Sequence, residues 1–389
     1  MPRPFIVGLI VNPVAGLGGS IAQKGSDAPD IRETALAAGV EPQAPARARR
    51  ALEQLVGMLG RSGRECLVMT GEGELGADAV AGLCPVELLS SRDESVPERT
   101  DSSAADTRRL AAAIKDAGAE LLLFAGGDGT ARDILDAVGP DLPVVGIPAG
   151  VKIYSAAFAL TPVTAGSLAA AWLISERRQT SEREVVDIDE DALRAGAASP
   201  SLHGWLRVPV DPSRLQDRKT PTPASDGAAV EALARTVAGS MVPGRSYVLG
   251  PGGTTHAVGR ALGLELSRLG VDVVRDGLLL ARDVTSHQLE RLIDCTQTTV
   301  VLTPLGGQGF IVGRGNQQLT AAVTGGACVQ VISTPAKLAS LGGSPLHVDT
   351  GSTEADARLS GFVKILTGPD TATVYPVGNF TTEQFATHQ

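Results

Sequence analysis

The sequence predicts an α/β protein with two domains, a doubly wound parallel sheet in residues 1–180 and a mixed α/β domain in residues 181–389. Three observations carry this. Short unbroken apolar runs, such as residues 5–11 and 121–125, have the length and composition of strands buried on both faces. They alternate with stretches whose apolar residues recur at helical spacing, the order that builds parallel sheets. A chain of 389 residues exceeds one ordinary domain, and its texture changes from Glu184 onward.

The first strand, residues 5–11, runs into Asn12-Pro-Val-Ala-Gly16. Glycines at the carboxyl end of a strand mark where open α/β sheets bind ligands, although this stretch does not fit G-x-G-x-x-G. The polar loop through Lys24 and Asp27 reads equally as a nucleotide cover and as a surface excursion. Residues 46–59 have helical spacing, 65–69 read as a strand, 73–83 as a short helix and 86–89 as a short strand; 91–100 are charged and exposed. Residues 102–117 form an amphipathic helix, with Asp101 or Ser102 as its cap and Gly118 as its stop.

The chain is organised around residues 121–125, followed by Gly126-Gly127-Asp128-Gly129-Thr130 and a helix carrying Ile134, Leu135 and Val138. A glycine-rich turn here joins a strand to a helix N-terminus. The glycines let the backbone approach a ligand, and the first helical amides point outward, unpaired and partly positive, which is a cradle for phosphate oxygens. Asp128 would repel the phosphates those amides attract. It makes sense if the carboxylate orders Mg²⁺ or accepts a proton from a hydroxyl that attacks phosphorus; as a plain turn residue or helix cap it needs no ligand at all. Thr130 has the same two accounts.

Residues 143–147 give the next strand, followed by Pro148-Ala-Gly150-Val-Lys152-Ile-Tyr154-Ser155 and a second helix start at 156–160. If this strand neighbours the previous one, Gly150, Lys152 and Ser155 face the same ligand, with Lys152 neutralising a phosphate; otherwise Lys152 is a solvated lysine at an ordinary joint.

Residues 185–189 alternate as a half-buried strand with Asp187 and Asp189 on one face, and 202–210 look like its partner, with Trp205 and Leu206 as packing residues. The two carboxylates either hold Mg²⁺ or line a solvated sheet face. Residues 211–225 are a linker or loop. A helix over 228–238 and a strand over 246–249 lead to Gly250-Pro-Gly252-Gly253-Thr254-Thr255, again strand, glycine turn and helix start, here with hydroxyls for phosphate or ribose and no acid. Strands at 271–275 and 299–303 flank a helix at 286–293. The polar stretch 304–318 follows, where glycines bracket Gln308 and Arg314 and Asn316 comes next, amides suited to a base edge and a guanidinium suited to phosphate. Strands at 329–332 and 346–348 and a hairpin over 361–367 and 373–375 complete the chain. Asp349-Thr-Gly351 matches the short aspartic-protease motif, whose chemistry needs two facing aspartates, and occurs once.

A net charge of -9 argues against a nucleic-acid partner. The apolar runs at 4–11 and 167–174 are too short to span a bilayer, so no membrane segment and no export are expected. Cys66, Cys84, Cys295 and Cys328 lack paired zinc or redox spacing; three sit in apolar surroundings, and all are expected to be reduced core thiols of a cytoplasmic protein. No Walker A, H-E-x-x-H, C-x-x-C or G-x-S-x-G pattern occurs.

Gly126-Gly-Asp-Gly-Thr130 after a buried strand resembles the motif shared by NAD kinases, diacylglycerol and sphingosine kinases, and phosphofructokinases. Nearly the whole chain resembles one branch, the ATP-NAD kinases related to acetoin catabolism protein X, through residues 11–16, 124–133, 146–155, 186–191, 250–255, 306–318 and 346–351. The resemblance implies transfer of a phosphoryl group from ATP, or polyphosphate, to a hydroxyl of NAD, giving NADP. Gly126, Gly127, Gly129 and Thr130 would hold donor phosphates with Mg²⁺, Asp128 would activate the acceptor hydroxyl, and Lys152 would offset charge. The remaining nucleotide-binding candidates are Asn12, Gly16, Gly150, Ser155, Gly252, Gly253, Thr254, Thr255, Gln308, Arg314 and Asn316. The site is expected between the domains, and self-association is common among such relatives. The Pro-Thr-Gly-Ser-Thr-Ala-Tyr segment of well-studied NAD kinases has no counterpart here, which leaves another hydroxylated metabolite as alternative acceptor, or a nucleotide-binding sensor without turnover.

Overall fold

A computed structural model describes residues 3–16, 42–90, 102–150, 153–187, 201–210, 226–267, 269–305, 309–369 and 371–378. They form two compact units, the first running through residue 210 and the second beginning at 226.

Unit 1 is a five-stranded parallel sheet in the order β3-β2-β1-β4-β5: β1 (Phe5–Val11), β2 (Cys66–Thr70), β3 (Val86–Leu88), β4 (Leu121–Gly126) and β5 (Val144–Pro148). Chain order reverses between β1 and β4, where a doubly wound sheet opens a crevice at its carboxyl edge. Every residue of β4 is buried, so helices cover both of its faces, as its unbroken apolar run requires. Helix α1 (Gln43–Arg61) packs on a later helix, Pro162–Ile174, closely enough that a Cβ on Gly166 would lie 2.1 Å from the Ala51 carbonyl oxygen. Helix α2 (Ala104–Asp116) packs on α3 (Asp128–Val138), with Arg108 bonded to Asp133 at 2.5 Å. Pro162–Ile174 is α4.

Several local expectations change. The helix expected over 73–83 is a single 3-10 turn and the short helix Ala77–Val80, divided at Gly76, whose φ is +153°. The α2 cap is Ser103, reciprocally bonded with Asp106, rather than Asp101 or Ser102. Residues 156–160 do not start a helix; they turn back along β5, with Ala157 and Ala159 bonded to Gly146 at 2.9 Å and the Phe158 ring lying over the space a Gly146 side chain would fill. That ring meets Phe124 edge-on at 5.2 Å. The helix begins later, at α4, where Thr161 caps and Pro162 enters.

The hairpin of β6 (Thr180–Asp187) and β7 (Ser201–Pro209) belongs to unit 1, which therefore extends past residue 180. Ala156 N–H donates to the Glu184 carbonyl, and Gly204 packs against Leu135. Leu206 is buried as expected, but Trp205 is 45% exposed, on the opposite face of the same strand.

Unit 2 is a seven-stranded mixed sheet in the order β10-β9-β8-β11-β13-β15-β16. β8 (Ser246–Leu249), β11 (Thr298–Leu302), β13 (Cys328–Ile332) and β15 (Gly361–Gly368) run parallel; β9 (Asp272–Arg275) and β16 (Thr371–Val377) are antiparallel to β8 and β15. Alternate residues feed two cores, Val248 and Val300 on one face and Leu249 and Val301 on the other. β10 (Leu278–Ala281) was not expected, although the two-residue Asp276-Gly277 turn with both φ positive is a strong hairpin signal. β12 (Phe310–Val312) and β14 (His347–Val348) form a separate parallel pair. Helices α5 (Gly227–Gly239) and α6 (Gly253–Ala261) pack together.

Of the cysteines only Cys66 is buried; Cys84 and Cys295 are half-buried and Cys328 is exposed, so the core-thiol expectation fails for Cys328. Among the described residues no helix is long and apolar enough to cross a membrane.

Candidate active site

Three turns meet at the carboxyl edge of β1, β4 and β5. Asn12, one residue past β1, crosses the reversal point: its N–H donates to the Ala125 carbonyl at 2.9 Å and its Nδ2 to Thr130 Oγ1 at 3.0 Å, while its Oδ1 accepts the Val14 N–H. Gly16 closes the first turn at φ +89°, and a Cβ there would lie 2.5 Å from the Ala149 oxygen. The Ala149 and Gly150 amides both donate to the Gly126 carbonyl, and a Cβ on Gly127 would come 3.6 Å from the Gly150 Cα. At Gly126 a Cβ would lie 2.3 Å from Thr130 Oγ1, so that glycine is what allows α3 to start against the strand end.

Gly127 is the residue before α3, and no side chain caps the helix there. The start of α3 carries the positive end of the helix dipole. Asp128, the first helical residue, turns its carboxylate toward the turn after β5: Oδ2 accepts the Tyr154 N–H at 2.8 Å and Oδ1 the Ser155 N–H at 2.9 Å. Such charge-assisted bonds fix the group in place. Ser155 is fully buried and its hydroxyl is bonded to both the N–H and the carbonyl of Val186, so it anchors this turn to β6.

A residue that sequence reasoning passed over joins this edge. Arg47, on α1, is 5% exposed and donates from Nη1 to the Pro148 carbonyl at 2.9 Å, with Gln43 bonded to its Nε. An arginine among the apolar α1 positions Ala44, Ala48 and Ala51 was the available signal. Asp133, buried further along α3, has its carboxyl pushed upward by burial, against the pull of Arg108.

Residues 7–176, which contain all three turns, match the model of the ATP-NAD kinase N-terminal domain, and residues 243–377 match that of the ATP-NAD kinase C-terminal domain. The chain belongs to the ATP-NAD kinase family. Comparison with curated proteins and with solved structures gave no match.

The region matching the family's C-terminal domain repeats the strand-glycine-helix device. After β8, Gly252 takes φ +130° directly before α6, again with no side-chain cap. A Cβ on Gly252 would lie 2.5 Å from Thr303 Cγ2, just past β11. Thr303 Oγ1 in turn accepts from Lys337 Nζ at 2.9 Å; Lys337 is 7% exposed and lies in the helix Pro335–Ala339, which follows β13. Leu305 approaches both Gly252 and Gly315, which brings the Arg314 turn to the same edge. Gly253 faces open space, whereas Thr254 and Thr255 are buried, with Thr255 Oγ1 bonded to the Gly252 carbonyl.

Asn316 is an internal strut, accepting from Gly313 N and donating to the Ile311 carbonyl. Arg314 lies over the Phe310 ring at 4.9 Å. His347, beside that ring, is held at a low pKa of about 4, chiefly by burial and then by the Arg314 charge.

Gly126, Gly127, Asp128, Gly129, Thr130, Gly16, Asn12 and Gly150 thus share one sheet edge in unit 1, and Gly252, Gly253 and Arg314 share another in unit 2. Lys152, Gln308 and Asp189 lie outside the described residues, and Asp187 is the last residue of β6. Lys337, Thr303 and Arg47 are the additions.

Proposed function

We propose that the protein phosphorylates a ribose hydroxyl of NAD, taking the phosphoryl group from ATP, with polyphosphate as the other candidate donor. The observation that supports this best is Asp128, a carboxylate oriented by two main-chain amides at the start of an uncapped helix in a family member. The amides of Asp128, Gly129 and Thr130 would grip donor phosphates. Held in place by those two amides, Asp128 would take the proton of the attacking hydroxyl as oxygen bonds to phosphorus and ADP departs. Lys152 would balance charge on the transferred group.

Mg²⁺ suits such a site. Among the described residues no group of three or more His, Cys, Asp or Glu side chains could hold a metal, and Mg²⁺ is commonly held by one or two carboxylates together with substrate phosphates. Asp128 would be the protein ligand, with Asp187 and Asp189 as further candidates; the ion would supply charge neutralisation on the phosphates. The second cradle, with Lys337 and Arg314, would take phosphates of a nucleotide. We assign the protein to the cytoplasm, where free thiols persist.

The test is NADP formation from NAD with MgATP or polyphosphate, read by an NADP-specific dehydrogenase. NADP with either donor supports the reading, and none with both sinks it. A second reading has its own support: both Asp128 oxygens already serve the backbone, as in a protein that binds nucleotide without turning it over. Calorimetric nucleotide binding with no transfer to NAD or to a panel of hydroxylated metabolites would favour that sensor; transfer to another metabolite would reassign the acceptor.

A further inference from the structure

At the opposite end of the unit 1 sheet from the glycine turns, one cysteine opens a strand and another lies just before the neighbouring strand. Cys66 opens β2, and Cys84 precedes β3 by two residues. The strands are parallel, with Val68 opposite Val86, and the Val68 N–H donates to the Pro85 carbonyl at 3.0 Å. Cys66 lies two residues before Val68 and Cys84 two residues before Val86, so the chain segments that enter this pair bring the two cysteines to the same end of it. Adjacent strands lie about 4.8 Å apart, within the Cα separation of about 4.4–6.8 Å that a disulfide spans. Each thiol perturbs the other, Cys66 upward and Cys84 downward. Both are free.

Their surroundings differ. Cys66 is 3% exposed, and its thiol is pushed far up by the neighbouring Cys84 and by burial. Cys84 is half-buried, and the neighbouring Cys66 draws it down while burial opposes. A lowered, reachable thiol reacts first with an oxidant.

We propose that Cys66 and Cys84 are a redox-modification site that closes to a reversible disulfide under peroxide. The Cys84 sulfur, as thiolate, attacks one oxygen of hydrogen peroxide; the O–O bond breaks, leaving Cys84 as sulfenic acid and releasing water once the departing hydroxide is protonated. Cys66 then gives up its proton as its sulfur displaces hydroxide from the Cys84 sulfur, forming the S–S bond and a second water. Two thiols lose two electrons, one peroxide is reduced to two waters, and a dithiol reductant reverses the change. The bond would fasten the three-residue edge strand β3, all of it exposed, to β2.

The full-length folded chain is treated with hydrogen peroxide, quenched with catalase, blocked with N-ethylmaleimide in guanidinium and digested for mass spectrometry. Peptides joined through Cys66 and Cys84, separated by dithiothreitol, are expected. In Cys84→Ser, Cys66 should stay maleimide-reactive at the same dose; in Cys66→Ala, dimedone should trap Cys84 as its sulfenic acid. Because Cys66 is buried, Cys84→Ser carries the test alone if Cys66→Ala does not fold. Finding both thiols maleimide-reactive after a dose that oxidises Cys328, or Cys84 as sulfinic acid with no joined peptide, overturns the proposal.

Discussion

The Asp128 carboxylate accepts the main-chain N–H of Ser155 at 2.9 Å, joining the helix start after β4 to the turn after β5. The partner bond from Tyr154 makes this a two-point clamp. In Asp128→Asn the amide nitrogen would face one of these N–H donors, so at least one bond is lost and a donor meets a donor. The expected result is a stability loss of about 1–3 kcal/mol, faster hydrogen exchange at Tyr154 and Ser155, and phosphoryl transfer reduced by orders of magnitude. Unchanged exchange with abolished transfer would separate chemistry from clamping; unchanged transfer would remove Asp128 from the reaction.

Asn12 and Thr130 meet across the reversal point, 118 residues apart in sequence. Asn12→Ala and Thr130→Ala should each cost about 0.5–1.5 kcal/mol, and the double variant less than their sum, since both remove one bond. Urea unfolding of the four proteins measures it. Strict additivity would mean the bond contributes nothing.

Gly126→Ala puts a methyl group where Thr130 Oγ1 stands, 2.3 Å from the new carbon. The start of α3 must move. We expect about 1–3 kcal/mol of destabilisation and at least tenfold weaker nucleotide binding by titration; wild-type affinity would show that these amides do not hold the phosphates.

His347 ties stability to acidity. Unfolded, it takes up a proton near pH 6.5; folded, only near pH 4, because burial and then Arg314 disfavour the cation. Its contribution is therefore whole above pH 6.5 and is lost as pH falls toward 4, on the order of 3 kcal/mol at most. Urea midpoints between pH 7 and 4 should fall, and His347→Phe should flatten that slope by about one proton. An equal slope in the variant would place the titration elsewhere.

In unit 2, Lys337→Met keeps the stem volume and removes the ammonium that Thr303 accepts from. Affinity for NADP, measured by calorimetry, should drop tenfold or more, and the urea midpoint far less. Equal affinity would make Lys337 a strut.

The sheet of unit 1 and its central turn were legible because buried parallel strands leave unbroken apolar runs and because Gly126 to Thr130 sits where one ends. What the sequence hid is set by contacts across the chain. Residues 156–160 have helix-like composition, but Gly146 leaves room for Phe158, and that space draws them along β5. Ser155 and Asn316 look like ligand groups until their buried partners are known. Lys337 could not be joined to Thr303 before β11 and β13 were known to be neighbours. The Asp276-Gly277 hairpin, by contrast, is written in the sequence as a two-residue turn.

The return of residues 157–159 onto Gly146 has an outcome for growth of the sheet. Main-chain groups on that outer margin of β5 are already occupied at Gly146, so a foreign strand seeking amides to zip onto finds less template there. The other margin is only three residues long. Lateral polymerisation of this sheet thus has little to propagate along from either side.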